Sequence, residues 1–221
     1  RWFEVAGITL QPSEFAKISF IIALSALLTK NKYEISLKVV FSSFLLAMPV
    51  FLLIFKQPDL GTALMLLPVM FVMLYVAGIR IKILFNLVLG SLILSPFAWH
   101  FLREYQKARL LVFLNPNIDP MGSGYTVIQS KIAIGSGRFF GKGWLSGTQS
   151  RLNFLPERHT DFIFSVIGEE WGFVGVVLVI ILFFVLIKKA ISIAETTEDD
   201  FGRLIATGIS ALFAIQTVVN I

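Results

Sequence analysis

Three polar stretches, each with a carboxylate close to the start of a long apolar segment, occur along the chain. They are QPSEFAK at residues 11–17, KQPDLGT at 56–62 and FLPERHTDFIF at 154–164. In chain order the acids nearest to these segments are Glu14, Asp59 and Asp161, and neighbouring cations are Lys17, Lys56 and Arg158. A carboxylate can act as a general base, while Lys, Arg and a helix N-terminus attract phosphate oxygens. Such residues at the edge of an apolar phase would suit a ligand that carries a pyrophosphate.

Each stretch by itself also fits an ordinary helix start. Pro12 suits the first helical position, and Glu14 and Lys17 are three residues apart, so they can pair on one face. Thr160 is a plausible N-cap, with Asp161 in the first turn. An acid there complements the helix dipole whatever the function. A shared site is favoured because ionisable groups at a membrane edge are usually functional.

Other kinds of catalytic site are excluded by residue type. No serine motif of the GxSxG kind accompanies His159 and Asp161, and His100 and His159 are not spaced as a metal pair. The sequence has no cysteine, which excludes disulfides and cysteine-based metal or redox chemistry.

The composition indicates an all-α polytopic membrane protein. The 221 residues are 56% hydrophobic and 15% charged, whereas soluble domains average about 45–50% apolar and about 25% charged. The apolar residues also fall in blocks long enough to cross a bilayer. The net charge of +5 is too small and dispersed for a nucleic-acid partner, and it suits anionic lipid headgroups or a phosphate-bearing ligand.

The sequence predicts six membrane spans in a single membrane domain over residues 1–221. They lie near 13–29, 37–55, 60–77, 81–101, 162–187 and 202–221. Lysines and arginines are concentrated in the short connections that follow spans one, three and five, which makes that side cytoplasmic. The beginning and end of the sequence lack flanking domains or anchors, as expected for a core fragment of a larger protein.

This orientation places the large loop 102–161 and the starts of spans one, three and five outside. The loop predicts short helices of its own, and its clustered glycines predict tight turns and close backbone approach to a ligand. We expect four side chains to converge on one outward-open cavity: Glu14, Lys17, Asp59 and Asp161. Pro49, Pro68 and Pro96 are expected kink positions within spans. Either Glu169 or Glu170, two turns into the fifth span, must face protein or water.

Five motifs, in order along nearly the whole chain, resemble the SEDS family (shape, elongation, division, sporulation) and its RodA-type branch. They are RWFEVAGITLQPSEFAK, QPDLGTAL, DPMGSGYTVIQSKIAIGSG, GKGWLSGTQS and FLPERHTDFIFSVIGEEWG. The last is the most specific, and division-type members usually have Ala where Arg158 stands. The family's early spans and its SYGGS-type segment are absent from this sequence. Arg138-Phe139 replaces a Gly-Leu-like pair, so the local turn is expected to differ.

The resemblance implies a peptidoglycan glycosyltransferase that polymerises lipid II outside the bacterial cytoplasmic membrane during elongation. It also implies a class B penicillin-binding protein as partner and Asp161 as the catalytic aspartate. No cofactor is required, although a divalent cation (Mg or Mn) is compatible. The candidate substrate-binding residues are Glu14, Lys17, Asp59, Lys56, Lys131, Arg158 and His159.

Two other function classes remain open from the sequence. A lipid II flippase would use the same cavity and charges with alternating access. A scaffold subunit that only recruits partners would need no carboxylate at the lip of the fifth span.

The predicted topology can be tested by cysteine labelling, since the chain has no cysteine of its own. Ser123→Cys or Ser146→Cys should react with a membrane-impermeant thiol reagent in intact cells. Thr197→Cys, in a predicted cytoplasmic connection, is the control and should react only after permeabilisation. The opposite pattern would invert the topology.

Overall fold

The structure, a computed structural model, describes residues 3–5, 8–31, 36–57, 60–122, 124–151 and 161–220. Two short strands, β1 (Phe3–Val5) and β2 (Ile8–Leu10), pair antiparallel. The helices of this described part are α1 (Pro12–Lys30), α2 (Leu37–Lys56), α3 (Leu60–Val76), α4 (Ile81–Phe101), α5 (Glu104–Leu114), α6 (Tyr125–Ser136), α7 (Thr148–Arg151), α8 (Ile163–Thr196) and α9 (Asp200–Asn220). The predicted all-α class is confirmed, with one small hairpin in addition.

Every predicted span corresponds to a helix. Among the described residues, α1, α2, α8 and α9 are long and apolar enough to cross a membrane, while the apolar parts of α3 and α4 are shorter. The polytopic membrane class is confirmed, and the number of six spans stays a prediction. Helix α8 runs nine residues beyond the predicted end at 187, because the segment from Lys188 to Thr196 contains neither glycine nor proline.

The chain divides into two compact units. The first comprises Arg1–Ile93 and Leu186–Val218, and in it α1, α2 and α3 pack against one another. Its core is formed by apolar side chains of these helices and of α9, including Phe20, Leu24, Met70, Met73 and Leu204. Many apolar side chains on the outer faces are exposed, as expected where lipid replaces water.

Within the first unit, short connections determine which helix ends lie together. Residues 31–36 join α1 to α2, and residues 57–59 join α2 to α3. Packed helices with such short connections run antiparallel. The start of α1, the end of α2 at Lys56 and the start of α3 therefore lie at one end of this unit, as the predicted topology requires.

The second unit comprises Leu94–Val185 and Val219–Ile221. It contains α5, α6, α7 and the first part of α8, so the prediction of short helices in the large loop is confirmed. The helix break that the structure shows does not lie at any of the expected kink positions. Helices α2, α3 and α4 continue through Pro49, Pro68 and Pro96, whereas α8 is broken at Gly172.

The packing of α9 gives a stability prediction. A Cβ at Gly208 would lie 2.5 Å from Cγ2 of Ile21 and 2.9 Å from Sδ of Met73, both in the core of the first unit. Gly208→Ala should therefore lower the free energy of unfolding by about 1–3 kcal/mol through overpacking. Gly90→Ala is the matched control, because a Cβ there meets nothing within 4 Å.

The measurement is thermal unfolding of the purified protein in detergent, followed by loss of the monodisperse species. The Gly90→Ala protein should unfold at the wild-type temperature or slightly above it, since alanine favours the helix by roughly 0.5–1 kcal/mol. Equal unfolding temperatures for the two variants would show that α9 does not pack against α1 and α3 through Gly208.

Candidate functional site

In the first unit, the predicted pairing of Glu14 with Lys17 is present. The two side chains lie on one face of α1, with 2.8 Å between Lys17 Nζ and Glu14 Oε1. Lys17 is only 2% exposed, whereas Glu14 is 51% exposed. The carboxylate of Glu14 partly neutralises the buried ammonium group of Lys17, and the rest of the Glu14 side chain is exposed. This arrangement fits a charged site better than a lysine that reaches out to solvent.

Two further polar groups lie near this helix end. Pro12 occupies the start of α1 as predicted, and the next residue, Ser13, is buried with its hydroxyl oxygen lacking a hydrogen-bond partner among the described residues. Lys56 is the exposed last residue of α2. Asp59, the third predicted acid, lies outside the described residues.

In the second unit, Asp161 is exposed and stands in a turn immediately before α8. The prediction that it lies in the first helical turn is wrong by two residues. The carbonyl of Phe162 accepts the first backbone hydrogen bonds, from Ser165 and Val166, so the helix begins at Ile163. Lys131 is an exposed residue of α6. Arg158, His159 and the proposed cap Thr160 lie outside the described residues.

The sequence-predicted site residues thus fall into two groups. Glu14, Lys17 and Lys56 belong to the first unit, and Lys131 and Asp161 belong to the second. Convergence of the four residues on one cavity stays a prediction.

The break in α8 is filled by the glycine-rich loop, which comprises residues 137–147 between α6 and α7. In a continuous helix, the N–H groups of Phe173 and Val174 would bond to the carbonyls of Glu169 and Glu170. Instead they donate to the carbonyls of Arg138 (2.9 Å) and Phe139 (3.2 Å). The carbonyls of Glu169 and Glu170 accept from the N–H groups of Lys142 and Gly143, each at 3.0 Å. The loop therefore inserts into the hydrogen-bond ladder of the helix and supplies partners for these two N–H groups and these two carbonyls.

This insertion requires glycine at two facing positions. Gly172 has φ +63° and Gly141 has φ +79°, both in the left-handed region. A Cβ on Gly172 would collide with the backbone of Gly141 and Phe139, and one on Gly141 would collide with the carbonyl of Glu170. A close backbone approach is therefore present, and it is made between the loop and α8.

Arg138 has φ +50°, a conformation that glycine adopts without strain and that other residues adopt rarely. The expected difference between this turn and the turn of the family stays a prediction.

Helix α6 is attached to the same part of α8. The hydroxyls of Ser130 and Ser165 are hydrogen bonded at 2.6 Å. At the end of α6, Gly137 lies so close to the carbonyl of Gly168 that a Cβ would overlap it. The first two turns of α8, which follow Asp161, are thus held by contacts with α6 and with the loop.

An ion pair with a buried carboxylate completes this attachment. Glu169 is fully buried, and its Oε1 lies 2.8 Å from Lys142 Nζ. The same oxygen accepts hydrogen bonds from the backbone N–H of Thr148 (2.7 Å), its hydroxyl (3.0 Å) and the backbone N–H of Gln149 (3.0 Å). Glu169 therefore faces the loop and binds the start of α7. Glu170 is buried in protein as well.

The sequence analysis did not assign Lys142 or Thr148 to any site. The available signal was the pairing of GKGWLSGTQS with GEEWG, two glycine-containing motifs of which one carries the acid and the other the cation. No spacing rule brings residues 27 positions apart together, so this contact required the structure.

Chemically, the arrangement offers the exposed carboxylate of Asp161 directly before the apolar helix α8. The first turns of that helix are held by contacts with α6 and with the loop. Among the described residues, no cluster of three or more His, Asp or Glu side chains could hold a metal ion, and we assign no step to one. A cavity of about 410 Å³ in the first unit lies elsewhere. It is lined mostly by apolar residues of α3, α8 and α9, with Glu195 and Arg203 also at its wall, and Glu14 is not among its lining residues.

The family model for cell cycle proteins of the FtsW, RodA and SpoVE type matches residues 1–221. The probable peptidoglycan glycosyltransferase FtsW of Trichlorobacter lovleyi is 45% identical over 225 residues, which cover the whole chain and 58% of that protein. The peptidoglycan glycosyltransferase MrdB of Escherichia coli K12 is 40% identical over 222 residues, covering the whole chain and 60% of that protein. The chain thus spans about three fifths of the length of these relatives.

Solved structures give the same result. A chain of a peptidoglycan synthase complex that coordinates polymerization and crosslinking superposes with a TM-score of 0.78 at 32% identity, over 99% of this chain and 60% of that one. The rod shape determining protein RodA of Thermus thermophilus superposes with a TM-score of 0.63 at 29% identity, over 99% and 55%. The resemblance seen in the motifs is confirmed, and the chain belongs to the FtsW/RodA/SpoVE family of cell cycle proteins.

Proposed function

We propose that the whole protein is a peptidoglycan glycosyltransferase that polymerises lipid II on the outer side of the bacterial cytoplasmic membrane. The observation that carries the proposal is the exposed Asp161 carboxylate directly before the apolar helix α8. The names of the relatives and of the peptidoglycan synthase complex support it. A class B penicillin-binding protein is the proposed partner, because it would cross-link the strands that this enzyme makes.

The position of Asp161 suits a substrate with one part in lipid and another in water. The polyprenyl tail of lipid II stays in the bilayer, and its sugars lie at the surface. A general base that serves both parts must stand where a membrane helix reaches water. Asp161 directly precedes the apolar helix α8, and its exposure leaves the carboxylate accessible to a hydroxyl group.

The reaction converts an α-linked sugar pyrophosphate into a β-1,4 linkage, which is an inversion. The 4-hydroxyl of the acceptor attacks the anomeric carbon of the donor in line with the departing pyrophosphate. Asp161 accepts the hydroxyl proton as the new C–O bond forms, and polyprenyl pyrophosphate leaves with the bonding electrons. One carboxylate is sufficient, because no covalent glycosyl-enzyme is formed.

Stabilisation of the leaving group is the role we propose for the cations. Lys17, Lys56, Lys131, Arg158 and His159 are the candidates, with Glu14 and Asp59 adjusting the local charge. The buried Lys17 is the strongest of them, since a desolvated ammonium group interacts more strongly with phosphate than one in water.

Asp161→Ala should abolish polymerisation while the protein still inserts in the membrane. Loss of a general base lowers the rate by roughly 10²–10⁴-fold. The measurement is glycan-strand formation from lipid II by the whole purified protein with its partner. Glu104→Gln is the control and should keep wild-type activity, because this carboxylate in the same outer segment is 91% exposed and pairs only with Lys107 among the described residues.

An active Asp161→Ala protein at normal expression would contradict the catalytic assignment. Transport of lipid II across vesicles by wild-type protein that does not polymerise it would favour the flippase. Partner binding with neither activity in the wild type would favour the scaffold.

Exchanging the charges of the α1 pair tests the role of Lys17 separately. The single change Lys17→Glu puts a carboxylate at a buried position beside Glu14, and it should destabilise the protein by on the order of 1–3 kcal/mol. The double change Glu14→Lys with Lys17→Glu should restore folding, since an opposite charge is again three residues away. Polymerisation should stay lost, because the positive charge has moved from its buried position.

Thermal unfolding and lipid II polymerisation are measured on the same preparations. Full activity in the double variant would show that the pair has only a structural role.

A further inference from the structure

The ion pair between Glu169 and Lys142 has no part in the proposed chemistry. Glu169 is fully buried, and its Oε1 already accepts from Lys142 and from the start of α7, so the proposed function assigns it no contact with substrate. It lies six residues after Ile163, the first residue of α8, about 9 Å along the helix at 1.5 Å per residue. Glu169 is thus carried by the end of α8 that follows Asp161, the segment that α6 and the glycine-rich loop hold in place.

The geometry of Glu169 differs from that of a simple ion pair. A single carboxylate oxygen accepts from the ammonium group of Lys142, from two successive backbone N–H groups and from the hydroxyl of Thr148. Lys142 Nζ also donates to Thr148 Oγ1 at 2.8 Å. The backbone donors are the first N–H groups of α7, which a helix of four residues cannot satisfy internally.

Burial of an ionised carboxylate is expensive unless its partners are fixed. Here the partners come from the loop that enters the break in α8 and from α7 beyond it. The carboxylate can therefore be accommodated only when loop, α7 and helix have one arrangement. Neutral or longer side chains at residue 169 would allow other arrangements of the loop, α7 and α8.

We propose that Glu169 is a positioning residue for the outward site, acting through α7 and the loop on the helix end that carries Asp161. The proposal rests on the proposed glycosyltransferase function and adds a specific residue to it. Its physical content is that residue 169 must be an acceptor of backbone N–H groups, with charge of secondary importance. A displacement of about 1 Å at a reacting group can lower a rate by about 10²-fold, so a distant change can reduce turnover.

The test compares four variants in the whole protein: Glu169→Ala, Glu169→Gln, Lys142→Met and the exchange Glu169→Lys with Lys142→Glu. Matched controls use the exposed pair of α5, as Glu104→Gln and the exchange Glu104→Lys with Lys107→Glu. Two quantities are measured, the kcat and KM for lipid II polymerisation and the hydrogen exchange of peptides covering residues 144–151, with α1 peptides as internal reference.

Glu169→Ala should lower kcat by at least tenfold with KM changed less than threefold, and should accelerate exchange in 144–151 but not in α1. Glu169→Gln keeps an acceptor oxygen, so it should retain more activity and more protection than alanine. The charge exchange should not rescue either quantity, because a lysine at 169 cannot accept from Thr148 and Gln149. Both α5 controls should match the wild type.

Rescue by the charge exchange would overturn the proposal in favour of a simple ion pair. Unchanged kcat with raised KM in Glu169→Ala would also overturn it, in favour of substrate binding, and so would unchanged exchange in 144–151. If Glu169→Ala does not insert, Glu169→Gln and Lys142→Met decide. A smaller loss of kcat and protection in Lys142→Met than in Glu169→Gln supports the proposal, and a larger loss in Lys142→Met overturns it in favour of a simple ion pair. Absence of polymerisation in the wild type would refute the proposed function alone, since the exchange data report separately on whether Glu169 holds α7.

Discussion

The interruption of α8 at Gly172 is the constraint on which the packing of the second unit depends. A helix that enters a bilayer cannot leave backbone N–H and carbonyl groups unpaired, because lipid offers no partners. The loop around Gly141 supplies both donors and acceptors at the break, and in doing so becomes fixed to the helix. The contact with α6 at Ser165 and the burial of Glu169 lie on the same stretch of α8, before the break.

The same constraint explains why a long loop can serve a chemical site. Segments of this length without regular structure are ordinarily mobile, and a general base on one would be poorly oriented. Here the loop contains α5, α6 and α7, and its glycines bring backbone against backbone. The helix end that these contacts hold is the one directly after Asp161, the proposed general base.

The sequence was sufficient for the membrane class, the positions of the long helices and the pairing of Glu14 with Lys17. These depend on local hydrophobicity and on i,i+3 spacing, which are visible in a short window. It was insufficient for the break at Gly172. Prolines are the stronger local signal for an interrupted helix, but α2, α3 and α4 continue through theirs. The contact between Glu169 and Lys142 arises from tertiary packing between distant motifs, which periodicity does not encode. The start of α8 was misplaced by two residues, because the hydrogen-bond ladder begins at the carbonyl of Phe162 and no residue-type rule indicates that position.

The most direct measurement is a structure of the whole protein with a bound lipid-linked disaccharide pyrophosphate and an acceptor sugar. If Asp161 is the general base, its carboxylate will lie about 2.6–3.2 Å from the acceptor hydroxyl, or one water away. The pyrophosphate will then lie in the same outward-open cavity as Lys17. A pyrophosphate bound elsewhere, or an Asp161 side chain that faces lipid or the opposite side of the helix bundle, would contradict the shared site.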